Sequence, residues 1–111
     1  MRMDRLMSIQ NLERAPSDFE HTGEDWREFA LAWVHLTRID EKEVIRAKSQ
    51  ESVASHRAVI RFVEGVTTEM RLVDRMNVRI RLDQNRIFHI ESIAGLDNRD
   101  DYLVLRLIEG G

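Results

Sequence analysis

The sequence contains no cysteine, a single proline and only two lysines, Lys42 and Lys48, among its 111 residues. Without cysteine there is neither a disulfide framework nor a thiolate metal site, which is typical of synthesis in a reducing intracellular compartment. No apolar run approaches the roughly 20 residues that a membrane-spanning helix needs. The N-terminal stretch MRMDRLMSIQ also has no apolar signal-peptide core. These absences predict a protein with no disulfide and no contact with a membrane.

The overall composition is that of a soluble globular protein, with 42% hydrophobic and 33% charged residues. A chain of this length is expected to form one domain, over residues 1–111. The net charge of −3 argues against a basic surface that binds nucleic acid. Arginine far outnumbers lysine, and this bias suits surfaces that meet protein partners, although genomic base composition produces the same bias.

Two early segments alternate in the manner of half-buried strands, Leu6 to Leu12 and Asp25 to Ile39. In the second segment, Phe29, Leu31 and Trp33 share one face, and the residues between them are also apolar. A strand with two apolar faces is either a central strand of a closed sheet or a strand covered by a neighbour. A helix is the competing interpretation, because alanine and leucine are abundant there.

The remaining elements complete a mainly β pattern. Asp40 followed by Glu43 resembles a capping box and predicts a short helix over residues 41–49. Further strands are expected over residues 56–63, 71–82, 87–93 and 102–108, with an exposed loop over residues 15–25. Six strands with one short helix predict a small antiparallel β-barrel or rolled sheet, whose closure would remove exposed strand edges.

Catalytic and metal-binding patterns are missing from the sequence. No two histidines stand at a metal-ligand spacing, and His56 and His89 fall within strand patterns, where a hydrogen-bonded structural role is expected. There is no glycine-rich phosphate loop and no nucleophile elbow. Asp97, Asp100 and Asp101 crowd a loop that lacks the glycine and distal glutamate of a calcium-binding loop. The chain is therefore expected to have no catalytic residue, no metal and no cofactor, and not to be an enzyme.

A row of arginines is the most distinctive surface feature that the sequence predicts. In an extended strand Arg71, Arg75, Arg79 and Arg81 lie on one face, where they can meet acidic residues of a neighbouring subunit or DNA phosphates. The alternative is the solvent-exposed face of an amphipathic strand. These four arginines are candidates for a subunit or partner interface, together with Phe19 and Trp26.

The stretch HRAVIRFVEGVTTEMRLV alternates, turns where Gly65 permits a positive φ and Thr67 can cap a short helical turn, and then restarts with Met70 and Arg71. Together with the later RIFHIESI, it resembles the head-tail joining proteins of tailed bacteriophages, also called head-closure or stopper proteins. The resemblance covers nearly the whole chain in the order and spacing of its elements. The matching positions are His56, Ile60, Arg61, Phe62, Gly65, Val66, Thr67, Met70, Arg71, Phe88, Ile90, Ser92 and Ile93.

The resemblance implies a structural protein of the neck of a phage or of a phage-like gene-transfer particle, assembled in the bacterial cytoplasm. Such a protein forms a homo-oligomeric ring, of about six or twelve copies, through heterologous interfaces. It closes the DNA exit channel below the portal and adaptor, makes transient contact with packaged double-stranded DNA, and presents the docking surface for the tail terminator or tail tube. A channel gate is expected within residues 40–55, with Asp40, Glu41, Glu43, Arg46 and Lys48 as candidate residues.

Two other functions remain open from the sequence. One is a different connector ring component, either an adaptor, which is expected to be mainly helical, or a tail-terminator-like protein. The other is a small β-barrel that binds single-stranded nucleic acid, with Trp26, Trp33 and Phe62 as stacking platforms. Low aromatic content and negative net charge count against the second alternative.

Overall fold

The computed structural model describes residues 2–13, 25–39, 53–76, 86–96 and 99–110, with side chains for all of these except 96, 99 and 100. Each strand pairs antiparallel with its neighbours in the order β1-β2-β3-β6-β5-β4, and β4 pairs with β1, so the sheet closes. The predicted six-stranded antiparallel barrel is confirmed, whereas the helix predicted over residues 41–49 lies outside the described residues. The strands are β1 (Arg5–Glu13), β2 (Asp25–Arg38), β3 (His56–Arg61), β4 (Arg71–Asp74), β5 (Ile87–Leu96) and β6 (Arg99–Glu109).

The barrel interior is filled by one side chain in two from each strand, as the period of an extended chain requires. Branched and long aliphatic side chains surround Phe88, a fully buried aromatic residue. The small side chains of Ala30 and Ala32 on the inner face of β2 pack against this core. Larger apolar residues of β2 lie on its outer face. The buried core consists of Met7, Ile9, Val34, Ala58, Ile60, Met70, Leu72, Phe88, Ile90, Leu105 and Leu107.

Strand β4 is shorter than the alternation of residues predicts. It ends at Asp74, so the prediction of a strand running to Leu82 is wrong in the part that the structure describes. The cause is the Asp74 carboxylate, which is fully buried, pairs with Arg5, and accepts a hydrogen bond from the Met76 backbone N–H at 2.8 Å. An aspartate that binds the backbone two residues ahead turns the chain away from the ladder.

The connection between β3 and β4 follows the sequence prediction. Gly65 has φ of 90°, in the left-handed region, and a Cβ there would lie 3.0 Å from the Phe29 ring. The Thr67 hydroxyl accepts a hydrogen bond from the Glu69 N–H at 3.4 Å, and the Thr67 carbonyl accepts one from the Met70 N–H at 3.2 Å. Gly65 and Thr67 therefore shape the turn, and Met70 returns the chain to the core, where it is buried.

Candidate interaction surfaces

The barrel has two ends of different composition. At one end, here called the termini end, β1, β3 and β5 begin and β2, β4 and β6 end. At the other, here called the turn end, lie the connection from β3 to β4 and the start of β6. Along β1 the two ends are roughly 25 Å apart, which exceeds the Debye length of about 8 Å at physiological ionic strength. Charges at the two ends therefore act on partners separately.

The termini end is rich in arginine. Two of its arginines form ion pairs. Arg5 pairs with Asp74, and Arg86 Nε lies 2.7 Å from Glu109 Oε2. Four others are exposed and form no ion pair with another described residue: Arg2, Arg38, Arg57 and Arg75.

The turn end is mainly acidic. Arg27 is shared between Glu13, at 3.0 Å, and Asp25, at 3.9 Å. Glu64 and Glu69 are exposed and have no ion-pair partner in the described ranges. Asp101 adds another exposed carboxylate, and Arg61, at the end of β3, is an exposed cation.

His56 lies at the termini end and closes a hydrogen-bonded cluster. Its Nδ1 is 2.9 Å from the Ser55 hydroxyl, and its Nε2 is 3.4 Å from the Arg86 guanidinium, which also binds Glu109. The Ser55 hydroxyl donates to the Leu107 carbonyl and accepts from the Glu109 N–H. A neutral imidazole with its proton on Nδ1 satisfies these contacts, and the predicted structural role of His56 is confirmed. His89 differs from the prediction, because it is exposed on β5 and only faces Trp26 edge-on.

Two groups in this cluster make stability depend on pH. Burial, opposed by Glu109, lowers the pKa of His56 from its ordinary 6.5, and the hydrogen bond from Arg86 lowers the pKa of Glu109 from 4.5. Both groups bind protons more readily in the unfolded chain than in the folded chain. Each group therefore stabilises the fold fully above its unfolded pKa, and this stabilisation is lost as the pH falls towards its folded pKa. We expect the free energy of unfolding to fall as the pH drops below 6.5, and again below 4.5.

Denaturant unfolding between pH 7.5 and 5 measures the first of these losses. His56→Gln is expected to be less stable at pH 7.5 and to lose less stability than the wild type on acidification. His89→Gln, a change at an exposed histidine, serves as the control and should keep the wild-type profile. An unchanged pH dependence in His56→Gln would contradict the assignment.

Two members of the predicted arginine row, Arg71 and Arg75, lie among the described residues. Arg71 lies at the start of β4, where its Nε donates to Gln10 Oε1 at 2.8 Å and its guanidinium carbon lies 4.1 Å from the centre of the Trp26 ring. Arg75 follows the end of β4 at the opposite end of the barrel. Arg71 and Trp26, two separate interface candidates, therefore form one outer cluster with Gln10. The candidates Arg79, Arg81 and Phe19 lie outside the described residues.

The gate candidates Asp40, Glu41, Glu43, Arg46 and Lys48 also lie outside the described residues. The residues on either side of that segment are described, and the Ile39 N–H donates to the Ser55 carbonyl at 2.9 Å. The segment therefore leaves and rejoins the barrel at the termini end.

An apolar stripe on the outer face of β2 was only partly recognised from the sequence. Phe29, Leu31 and Trp33, here called the β2 stripe, are 43%, 53% and 53% exposed. The sequence shows that both faces of β2 are apolar. The inner face is apolar because it lines the core of the closed barrel. On the outer face the Phe29 ring lies against the turn at Gly65, whereas Leu31 and Trp33 are more than half exposed. Exposed apolar side chains of this kind are typical of a surface that meets a partner.

No metal-ligand cluster is present in the part of the chain that the structure describes. No three histidine or acidic side chains come together there as metal ligands. Over the same residues, no helix is long and apolar enough to cross a membrane.

The family model of the phage head completion protein matches residues 1–110. The chain belongs to the phage head completion protein family. This confirms the resemblance to head-tail joining proteins. The family is one of structural proteins, so this head completion protein has a structural role at the head-tail region of the phage particle.

The fold also has a counterpart among solved structures. The solution structure of protein SF1141 from Shigella flexneri 2a is similar to this chain with a TM-score of 0.73. The likeness covers 98% of this chain and 94% of that chain, at 19% sequence identity, and so concerns the fold alone. A comparison with curated proteins finds no match.

Proposed function

We propose that this head completion protein is the stopper of the head-tail connector. Copies of it form a ring that closes the DNA exit channel below the portal and adaptor, and the ring presents the surface to which the tail docks. The β2 stripe, on a barrel of the phage head completion family, is the observation that carries this proposal. It provides an apolar surface for assembly.

The closed sheet restricts how such a protein can associate. Because β4 pairs with β1, the sheet closes, and strand edges stay open where a strand extends past its neighbour at a barrel end, as β2 does over residues 25–33. Association must use the outer faces or the ends of the barrel, and a cyclic ring needs two different faces that complement each other. The β2 stripe and the two charged ends supply such surfaces.

The alternatives receive less support. An adaptor is expected to be mainly helical, whereas the described residues form a six-stranded barrel. A barrel that binds single-stranded nucleic acid needs free aromatic platforms. One of the three candidate platforms, Trp26, is covered by the Arg71 guanidinium at 4.1 Å.

Removing the gene from its phage tests the proposal. Cells that produce the deletion phage should accumulate heads that have packaged DNA but lose it on purification, and tails should remain unattached. Electron microscopy and the DNA content of purified heads measure the two effects, and a plasmid copy of the gene should restore both. Tailed, DNA-filled particles from the deletion phage would refute the stopper role.

The gate within residues 40–55 stays a prediction. Removing residues 41–52 leaves Asp40, Val53 and Ala54 to connect Ile39 with Ser55, whose backbones are already hydrogen-bonded at 2.9 Å. Three residues are enough for a hairpin connection. We expect this variant to fold and to join the particle, but to let DNA escape from filled heads. A chain in which residues 41–52 are replaced by glycine and serine, at equal length, is the control for loop length. Full DNA retention by both variants would show that the gate lies elsewhere.

A further inference from the structure

We infer that neighbouring copies of this chain meet end to end, with the termini end of one barrel against the turn end of the next. This inference rests on the proposed ring and identifies its subunit contact. It is derived from the separation of charge along the barrel, which provides the two different and complementary surfaces that a heterologous contact requires.

The termini end supplies the basic surface. Arg2, Arg38, Arg57 and Arg75 are exposed there, and none forms an ion pair with another described residue, although Arg38 lies near enough to Glu109 to contribute to lowering the pKa of that carboxyl. Of the described acidic groups at this end, Asp74 is buried against Arg5 and Glu109 binds Arg86, whereas Asp4 is exposed and forms no ion pair with a described residue. Among the described residues of this end, four exposed arginines against one exposed aspartate leave an excess of positive charge for a partner.

The turn end supplies the acidic surface. Glu64 and Glu69 flank the turn that contains Gly65, with exposed side chains and no ion pair to another described residue. Because the ends are farther apart than the Debye length, they do not neutralise each other within one barrel. Contact between two copies brings opposite charges together and repels the reversed orientation.

Charge reversal at one end at a time tests this contact in purified protein. Arg38→Glu/Arg75→Glu makes both ends acidic, and Glu64→Arg/Glu69→Arg makes both ends basic. We expect the wild type to self-associate at low ionic strength and each double variant to do so about tenfold or more weakly. A mixture of the two variants should recover association. Sedimentation equilibrium over a range of protein and salt concentrations measures all four samples.

A matched substitution separates the end contact from the effect of net charge. Arg61→Glu changes net charge by the same amount as Arg38→Glu, but it removes a cation from the acidic turn end. We expect Arg61→Glu to strengthen self-association and Arg38→Glu to weaken it. Equal shifts in the two variants would show a bulk charge effect and overturn the inference.

Cross-linking in particles tests the same contact after assembly. The chain has no cysteine of its own, so Thr68→Cys/Met76→Cys provides one exposed thiol at each end without removing a charge. A short bismaleimide should link this variant into a ladder longer than dimers, whereas each single cysteine variant should give no ladder.

The outcomes separate this inference from the proposed stopper role. A wild type that stays monomeric and a double cysteine variant that gives no ladder in particles would overturn the end contact. Binding of double-stranded DNA that is lost in Arg38→Glu/Arg75→Glu, without self-association, would assign the basic end to DNA and also overturn it. DNA retention by the deletion phage, in contrast, would refute the stopper role and leave a measured end contact standing.

Discussion

Phe88→Ala is expected to lower the free energy of unfolding by about 3–5 kcal/mol, the range for removing a fully buried aromatic side chain. Phe88 is 0% exposed and packs edge-on against His56, with ring centres 5.1 Å apart, while the Arg86 guanidinium lies 5.0 Å from its ring. Truncation of Phe88 would leave a cavity beneath this cluster. A barrel with a small core has few neighbouring side chains that could move to fill the cavity. Chemical denaturation at pH 7.5 measures the loss.

The control for Phe88→Ala is the same substitution at an exposed position. Phe62 is 56% exposed after β3, and Phe62→Ala should change stability by less than about 1 kcal/mol. In Phe88→Leu the leucine fills most of the volume of the phenylalanine side chain, so its loss of stability should lie between those of Phe88→Ala and Phe62→Ala. Losses of equal size in Phe88→Ala and Phe62→Ala would contradict the core position of Phe88.

Leu31→Ser/Trp33→Ser is expected to abolish most of the infectivity of the phage while leaving the folded subunit stable. Buried anchor residues of an interface typically cost at least about 2 kcal/mol when truncated, which corresponds to roughly a thirtyfold weaker contact for each subunit. The two side chains are 53% exposed, so their removal does not open the core. Phage titre after complementation of the deletion, together with the thermal midpoint of the purified variant, separates assembly from folding.

A substitution at an exposed position outside the β2 stripe serves as the control. His89 is exposed on β5, where its ring faces Trp26 near the start of β2 rather than a residue of the β2 stripe. His89→Ser should support a wild-type titre. If Leu31→Ser/Trp33→Ser also supports a normal titre, the β2 stripe is an ordinary solvent-exposed face.

Most of the fold could be predicted because its strands carry a strict two-residue period. The alternation over residues 25–39 predicts β2 almost to its observed end at Arg38, and the strand over residues 102–108 lies within β6. The turn at Gly65 is also legible locally, since glycine is the residue that accepts its positive φ. Closure of the sheet could be expected from the strand count and from the two apolar faces of β2.

The candidate site was less predictable, because it depends on contacts between distant parts of the chain. Asp74 ends β4 through a pairing with Arg5, and the two are separated by 69 positions in the sequence. The alternation of residues alone predicts that β4 continues past Asp74, whereas the Asp74 side chain binds the Met76 N–H and turns the chain there. The division into a basic and an acidic end likewise follows from the register of six strands and from no local pattern.

The modest size of the β2 stripe has a consequence for the order of assembly. Three half-exposed side chains offer on the order of 300 Å² of apolar surface, well below the roughly 800 Å² that each partner buries in a stable interface. If the proposed stopper docks the tail through the β2 stripe, a single subunit would hold a tail protein only briefly. In a closed ring the same patch recurs at every subunit, and linked weak contacts multiply into avidity. The tail would then be retained by a completed neck and released by a partial one, so that attachment itself reports that the head has been closed.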